Sequence, residues 1–375
     1  MGFTDFFDKV QKHLQAALPF VVYKKPNVSD IQVLLQKDNK LYTTEDYSES
    51  GFVFAPFNDQ EVSVLLPLEA CEVLKTKYEL TSEVLNATPS EKEVIPSAEK
   101  REEHIALVQN GVNAINNKEL QKVVLSRCEA LNISEENPLE TFKRLLYNYP
   151  TAFVYCWFHP KVGLWLGATP ETLISISNNR FKTMSLAGTQ KYHGTEDVIW
   201  QEKEKEEQQI VTDFIVSSLE PLVKSIQVSK TQTARAGSLL HLKTAISGTI
   251  DTQDSYLKEV LKAIHPTPAV CGFPKEKAKQ YILKNENYHR EFYSGFLGEL
   301  NLKESQTRNT NRRNVENNAY ATIKTVTNLF VNLRCMQLKD KQALLYVGGG
   351  ITGDSVPENE WQETVNKTQT IKKVL

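Results

Sequence analysis

The sequence predicts an α+β protein: a single large domain of antiparallel β-sheets packed in layers, with helices on the outside. Three observations carry this expectation. Short runs of alternating apolar and polar residues recur, joined by turns too short for helical crossovers. Helical periodicity interrupts them at only a few places. A chain of 375 residues, 40% hydrophobic and 24% charged, has ample material for one soluble core.

The elements follow in chain order. The opening "MGFTDFFDKVQKHLQAALPF" has the spacing of an amphipathic helix, and "IQVLLQK" and "SGFVFAPF" read as strands. The polar stretch "ATPSEKEVIPSAEKREE" is a surface connection whose end opens a helix carrying Ile105, Val108, Val112 and Ile115 on one face. Strand patterns follow at "KVVLSRCEAL", "TAFVYCWF", "VGLWLGA", "TLISIS" and "RFKTMSLAG". Helices are expected at about 199–223 and about 254–264. Strands return at "HLKTAISGTI", "FYSGFLGELNL", "TNLFVNLRCMQL" and "ALLYVGG". Residues 304–321 are polar and basic and read as an exposed excursion between two strands. An RNA-binding arm would need more aromatic platform than Tyr320 alone.

Composition removes several function classes. A formal charge of −2 offers no general attraction to nucleic acid or to anionic membranes. Five scattered cysteines without a C-x-x-C argue for a reducing compartment and against a zinc site. No apolar run reaches transmembrane length. The expectation is a cytoplasmic monomer that binds neither nucleic acid nor membrane.

The stretch "YVGGGITGDSVPENEWQETVNK" (346–367) places three glycines before a helix. It is not a P-loop, because no Lys-Ser/Thr follows, and the antiparallel surroundings exclude a dinucleotide turn. Ser355–Glu358 reads as a capping box. Beyond it Glu360, Glu363 and Lys367 share one helix face. In "EKEKEEQQIVTDFIVSSLEPLV" the buried stripe of Val211, Phe214 and Leu222 extends back to Glu207 and Glu204. Two such glutamate pairs facing one interior imply a hard cation, and all-oxygen ligands favour Mg²⁺. Solvated, salt-bridged faces are the plain alternative for both helices. "AIHPTPAVCGFP" holds His265 and Thr267 in a proline-rigid loop, where a hydrogen-bonded structural histidine is the plain alternative to a functional one. "LGATPETL" sets Glu171 at a turn between strands.

Seven motifs occur in order: "KVVLSR" (122–127), "LGATPETL" (166–173), "SLAGT" (185–189), "EKEKEEQQIV" (202–211), "HPTPAVCGFP" (265–274), "LRC" (333–335) and the glycine-helix segment (348–367). Together they closely resemble the chorismate-utilising enzymes, a family holding isochorismate, salicylate, anthranilate and aminodeoxychorismate synthases. The resemblance is strong over residues 98–375 and loose over 1–97, and it implies one chorismate-utilising domain spanning 1–375. The pattern is most similar to the isochorismate synthases. Water-adding members carry a lysine where this chain has Lys122, and ammonia-using relatives usually carry glutamine there. Aminodeoxychorismate synthases have a lysine in place of Ala187.

The resemblance implies an isomerase that takes chorismate, adds water at C2 and loses the C4 hydroxyl. Its product would feed menaquinone or catechol siderophore biosynthesis. Lys122 is implied as the base and Glu171 as the acid, a role that demands a raised carboxyl pKa. Glu207 and Glu363 are implied to hold Mg²⁺, with Glu204 and Glu360 bound directly or through water. Arg334 would fork onto the enolpyruvyl carboxylate. Gly188 and Gly348 would let backbone N–H groups approach a carboxylate, and Thr189, His265 and Lys367 complete the substrate contacts. The family's usual Glu-His in the metal motif is Glu207-Gln208 here. A salicylate synthase, or an ammonia-using subunit like anthranilate synthase component I, are the alternatives.

Overall fold

In a computed structural model, residues 1–78, 98–133, 137–236, 239–251, 256–306 and 322–375 are described. Most of the expected connection at 87–103 and of the excursion at 304–321 lies outside them. The strands that flank the excursion, Phe296–Gln306 and Thr322–Val331, pair antiparallel, with Gln306 opposite Thr322.

Two large sheets account for the described strands, and every pairing is antiparallel. One has nine strands, running from Gly272–Phe273 through Lys122–Asn132, Gln342–Ile351, Cys335–Lys339, Gly163–Thr169 and Phe153–His159 to Phe20–Lys24, Asp30–Gln36 and Cys71–Lys77. The other has ten and is built around Leu239–Ile250, Arg180–Lys191, Thr172–Ser177, Thr322–Val331, Phe296–Gln306 and Gly51–Ala55. The first 78 residues thus add edge strands to both sheets.

The layer between the sheets is aromatic. Phe153 stacks on Phe330 across it at 4.2 Å, and Phe54 meets Trp157 edge-on at 5.0 Å. These rings are fully or nearly fully buried, and each such pair adds about 0.5–1.5 kcal/mol beyond its area. Helices cover the outer faces. Phe6, Phe7 and Val10 of helix Phe3–Gln15 pack with Phe142 and Leu146 of helix Pro138–Asn148 over the first sheet. Val211, Ile215 and Leu219 of helix Glu202–Leu219 pack with Leu257, Val260 and Leu261 of helix Tyr256–Ile264 over the second. This is the layered α+β arrangement the alternating strand patterns predict.

"TNLFVNLRCMQL" departs from expectation, because it is not one strand. The chain leaves the second sheet at Val331 and enters the first at Cys335, turning through Arg334 at φ +49°. It makes the reverse passage between Thr169 and Thr172, around Pro170 and Glu171. Both crossings place an ionisable residue between the sheets. The Ser355 capping box also does not form. Helix Pro357–Lys372 has no side-chain cap at its start, and the Ser355 hydroxyl accepts instead from the Thr352 N–H and the Lys203 ammonium.

A buried ion pair ties three segments together. Arg290 holds Glu286 (2.6 Å, both side chains 2% exposed) and donates to the carbonyls of Val270 and Val124. Glu286 in turn accepts from the N–H and hydroxyl of Ser126. Arg290→Ala strands that carboxylate without a counter-charge, so a loss of about 3–5 kcal/mol is expected in urea unfolding. A loss below about 1 kcal/mol would show that the pair is dispensable.

Candidate active site

Lys122 starts its strand fully buried, and its ammonium lies 3.0 Å from Glu207 Oε1. That contact explains the last glycine of the triplet. Gly350 lies beside this strand in the ladder, and a Cβ there would come within 2.2 Å of Glu207 Oε1. The absence of a side chain therefore lets the carboxylate reach across to Lys122. Gly348 is bare for another reason: a Cβ would press on the Leu125 carbonyl and Ser126 at 2.9 Å. Its expected role in admitting a ligand carboxylate is thus joined by a packing requirement of the neighbouring strand.

The inter-sheet crossings bring Glu171 and Arg334 to the same cavity as Lys122. Burial pushes the Glu171 carboxyl up to about 8, even though the charges of Lys122 and Arg334 pull the other way. It is therefore protonated at neutral pH, as an acid role requires. His241, noted in the sequence only as part of a strand, orients Arg334. Its Nδ1–H donates to the Gly188 carbonyl at 2.8 Å, so Nε2 is left to accept from Arg334 Nη2 at 3.1 Å. Burial lowers this histidine to about 3, so the imidazole stays neutral. No motif marked it, because one histidine in an apolar strand looks like core.

Glu204, Glu207 and Glu363 line the cavity, and three of the four expected glutamates are already matched. Besides Glu207 with Lys122, Glu363 pairs with Lys367 at 2.7 Å and Glu360 with Lys203 at 3.0 Å. Lys367 also donates to the Gly348 carbonyl. The salt-bridged alternative thus holds for three of the four carboxylates. Burial drives Glu363 upward, yet Lys367, Lys203 and Lys122 outweigh it and leave the carboxyl below its ordinary value. Glu360 goes the other way, raised by burial despite Lys203. The fourth, Glu204, has a buried Oε2 with no hydrogen-bond partner. An all-carboxylate set with an orphaned oxygen suits a hard cation in kind. Among the described residues no three acidic groups are close enough to hold one as they stand.

Gly188, Thr189, Glu204, Glu207, Glu363 and Lys367 line the cavity with Lys122, Glu171, Arg334 and Gly348. Lys203 also lines it, whereas its partner Glu360 does not. His265 is the correction: it lies outside the cavity, packed edge-on against Phe296. Its loop reaches the site further along, through Ala269 and Val270. Gln208, where the resembling family has histidine, is buried and donates to Ser185 and Thr244, fixing its helix to the second sheet.

The family profile described as chorismate binding enzyme matches residues 58–306, and a second of that description matches 320–373. The chain belongs to the chorismate binding enzyme family. It is 28% identical to the salicylate biosynthesis isochorismate synthase of Pseudomonas aeruginosa, over 74% of this chain and 56% of that protein. It is 26% identical to anthranilate synthase component 1 of Aquifex aeolicus, over 73% of this chain and 53% of that one. The chain therefore spans little more than half the length of these curated relatives. The fold matches that of DhbC from Bacillus anthracis with TM-score 0.76 at 21% identity, covering 97% and 98% of the two chains. No helix among the described residues is long and apolar enough to cross a membrane.

A carboxyl raised in the folded state binds its proton more tightly there than in the unfolded chain. Stability must then fall as pH rises from about 4.5 towards about 8. Each pH unit of that displacement is worth about 1.4 kcal/mol. Glu171→Gln is expected to flatten this decline, gaining stability over the parent at pH 9 but not at pH 4. Parallel stability–pH curves for the two proteins would contradict a buried, protonated Glu171.

Proposed function

We propose that the protein is an isochorismate synthase, which adds water at C2 of chorismate and expels the C4 hydroxyl. One observation carries the reading: buried Lys122, at the start of a strand, and buried, protonated Glu171, at a crossing between the sheets, line one cavity with Arg334. The reaction needs one group that takes a proton from water and another that gives one to the departing hydroxyl. Lys122 is assigned the first role and Glu171 the second. Arg334, held by His241, presents its guanidinium to the enolpyruvyl carboxylate. Ala187 contributes only a methyl group where the aminodeoxychorismate synthases resembled in sequence have lysine, which speaks against that activity.

Glu207 and Glu363, with Glu204 and Glu360 beside them, are the residues that would hold Mg²⁺. The ion would neutralise the ring carboxylate of the substrate amid these acids. The orphaned Glu204 Oε2 supports this part of the proposal. Lys203 and Lys367 hold Glu360 and Glu363 in place, and the bare backbone at Gly350 leaves room for Glu207.

Purified protein given chorismate and Mg²⁺ is expected to yield isochorismate, with no salicylate or anthranilate, when products are resolved chromatographically. EDTA should abolish the reaction. Lys122→Gln should lower kcat by roughly 10²–10⁴, the usual size of a general-base contribution, with KM little changed. Near-parent kcat in this variant would remove the base assignment. Salicylate or anthranilate as the main product would replace the reading itself.

A further inference from the structure

The candidate active site adjoins two further cavities, and the two differ in charge. One, of about 280 Å³, shares Pro170, Leu186 and Arg334 with it. The other, of about 240 Å³, shares Thr189, Glu363 and Lys367. Each therefore meets the site at a different group, one at Arg334 and the other at Glu363.

The cavity beside Arg334 has a positive lining. Lys243, Arg235 and Arg334 border it, and no acidic side chain does among the described residues. The Arg235 guanidinium lies over the Tyr192 ring at 3.7 Å. The Lys243 ammonium makes no hydrogen bond or ion pair with a described residue. Lys243 follows His241 by two positions in strand Leu239–Ile250, so both share one face of the sheet, and His241 holds Arg334 there. Two more ammoniums stand close by. Lys373 lies over the ring of Tyr149, which borders the cavity, at 4.7 Å. Lys24 donates to the Pro150 carbonyl, next to Thr151 of the same border. Fixed positive charge along a partly apolar wall concentrates anions and speeds their association by about 10–10³.

The cavity beside Glu363 lacks this bias. Gln190, Asn359, Gln362 and Asn366 give it an amide border, and its Lys367 is already paired with Glu363. Against Lys191 on this border stand Glu363 and, within the site itself, Glu204 and Glu207. An anion arriving there meets carboxylates.

We propose that an anionic substrate enters the candidate active site through the cavity beside Arg334, and that Lys243 is the residue that draws it in. The inference rests on the isochorismate synthase reading and adds to it a route and a steering residue. Chorismate carries two carboxylates and an unsaturated ring. The carboxylates suit Lys243 first and Arg334 second, and the ring suits the wall formed by Met184, Leu186 and Pro170. Lys243 does not line the candidate active site, so it acts on arrival and not on the chemistry.

The test is the association rate of chorismate with the whole chain and Mg²⁺, taken by stopped flow before turnover. Trp200, whose ring lies beside Gly188 of the site, supplies the fluorescence signal. Lys243→Glu should slow association about tenfold or more at low ionic strength, and less at high ionic strength. Lys243→Arg should keep the parent rate. Met184→Trp, which narrows this cavity, should slow association at every ionic strength, because an obstruction is not screened. Gln362→Trp, on the border of the amide cavity, should associate like the parent. If Met184→Trp fails to fold, Lys243→Glu and Gln362→Trp still decide. Parent-like association in Lys243→Glu, or slowing by Gln362→Trp in place of Met184→Trp, would overturn the route. The product is identified separately, so a product other than isochorismate overturns the proposed function alone, whereas failure of chorismate to bind overturns both.

Discussion

Three ionisable side chains line the cavity between the two sheets: Lys122 and Glu171 are buried and Arg334 is half-buried. Burying charge in a low-dielectric layer is the constraint around which the rest of the site is arranged. Lys122 is matched by Glu207, which reaches it only because Gly350 is bare. Arg334 donates to a neutral histidine, which orients its guanidinium. Glu171 meets the same constraint by keeping its proton. A base candidate, an acid candidate and an anion fork thus follow from three different answers to one problem.

The scaffold keeps these answers apart. Lys122 belongs to the first sheet, while Glu171 and Arg334 sit where the chain passes between sheets. The aromatic layer fixes the spacing of the sheets, and Arg290 with Glu286 locks the strand bearing Lys122 to the loop bearing Val270. The helices at the rim are pinned by ion pairs rather than caps: Lys203 joins Glu360 across two helices, and Lys367 holds Glu363 within one. Each pair restrains a carboxylate that would otherwise repel its acidic neighbours.

Much of this was legible in the sequence, because alternation and helical spacing report on burial directly. The layered antiparallel class and the helices expected at about 199–223 and about 254–264 follow from local pattern, and the grouping of Lys122, Glu171 and Arg334 from ordered motifs through the family resemblance. What was not legible depended on partners distant in the chain. "TNLFVNLRCMQL" has continuous strand pattern, and only packing between sheets reveals the break at Arg334. His241 and His265 each look like one histidine in an apolar run. The fold sends His241 to Arg334 and His265 against Phe296, and neither spacing nor composition distinguishes the two. The lysines that match the glutamates were equally invisible, apart from Lys367 one turn from its partner.

The central claim is that this cavity activates water against chorismate. Turnover in H₂¹⁸O with Mg²⁺, read by mass spectrometry and NMR of the product, tests it most directly. The account predicts isochorismate carrying one ¹⁸O at the C2 hydroxyl and none elsewhere. Unlabelled product would contradict it, as would a product aminated from added ammonium while the solvent oxygen stays out.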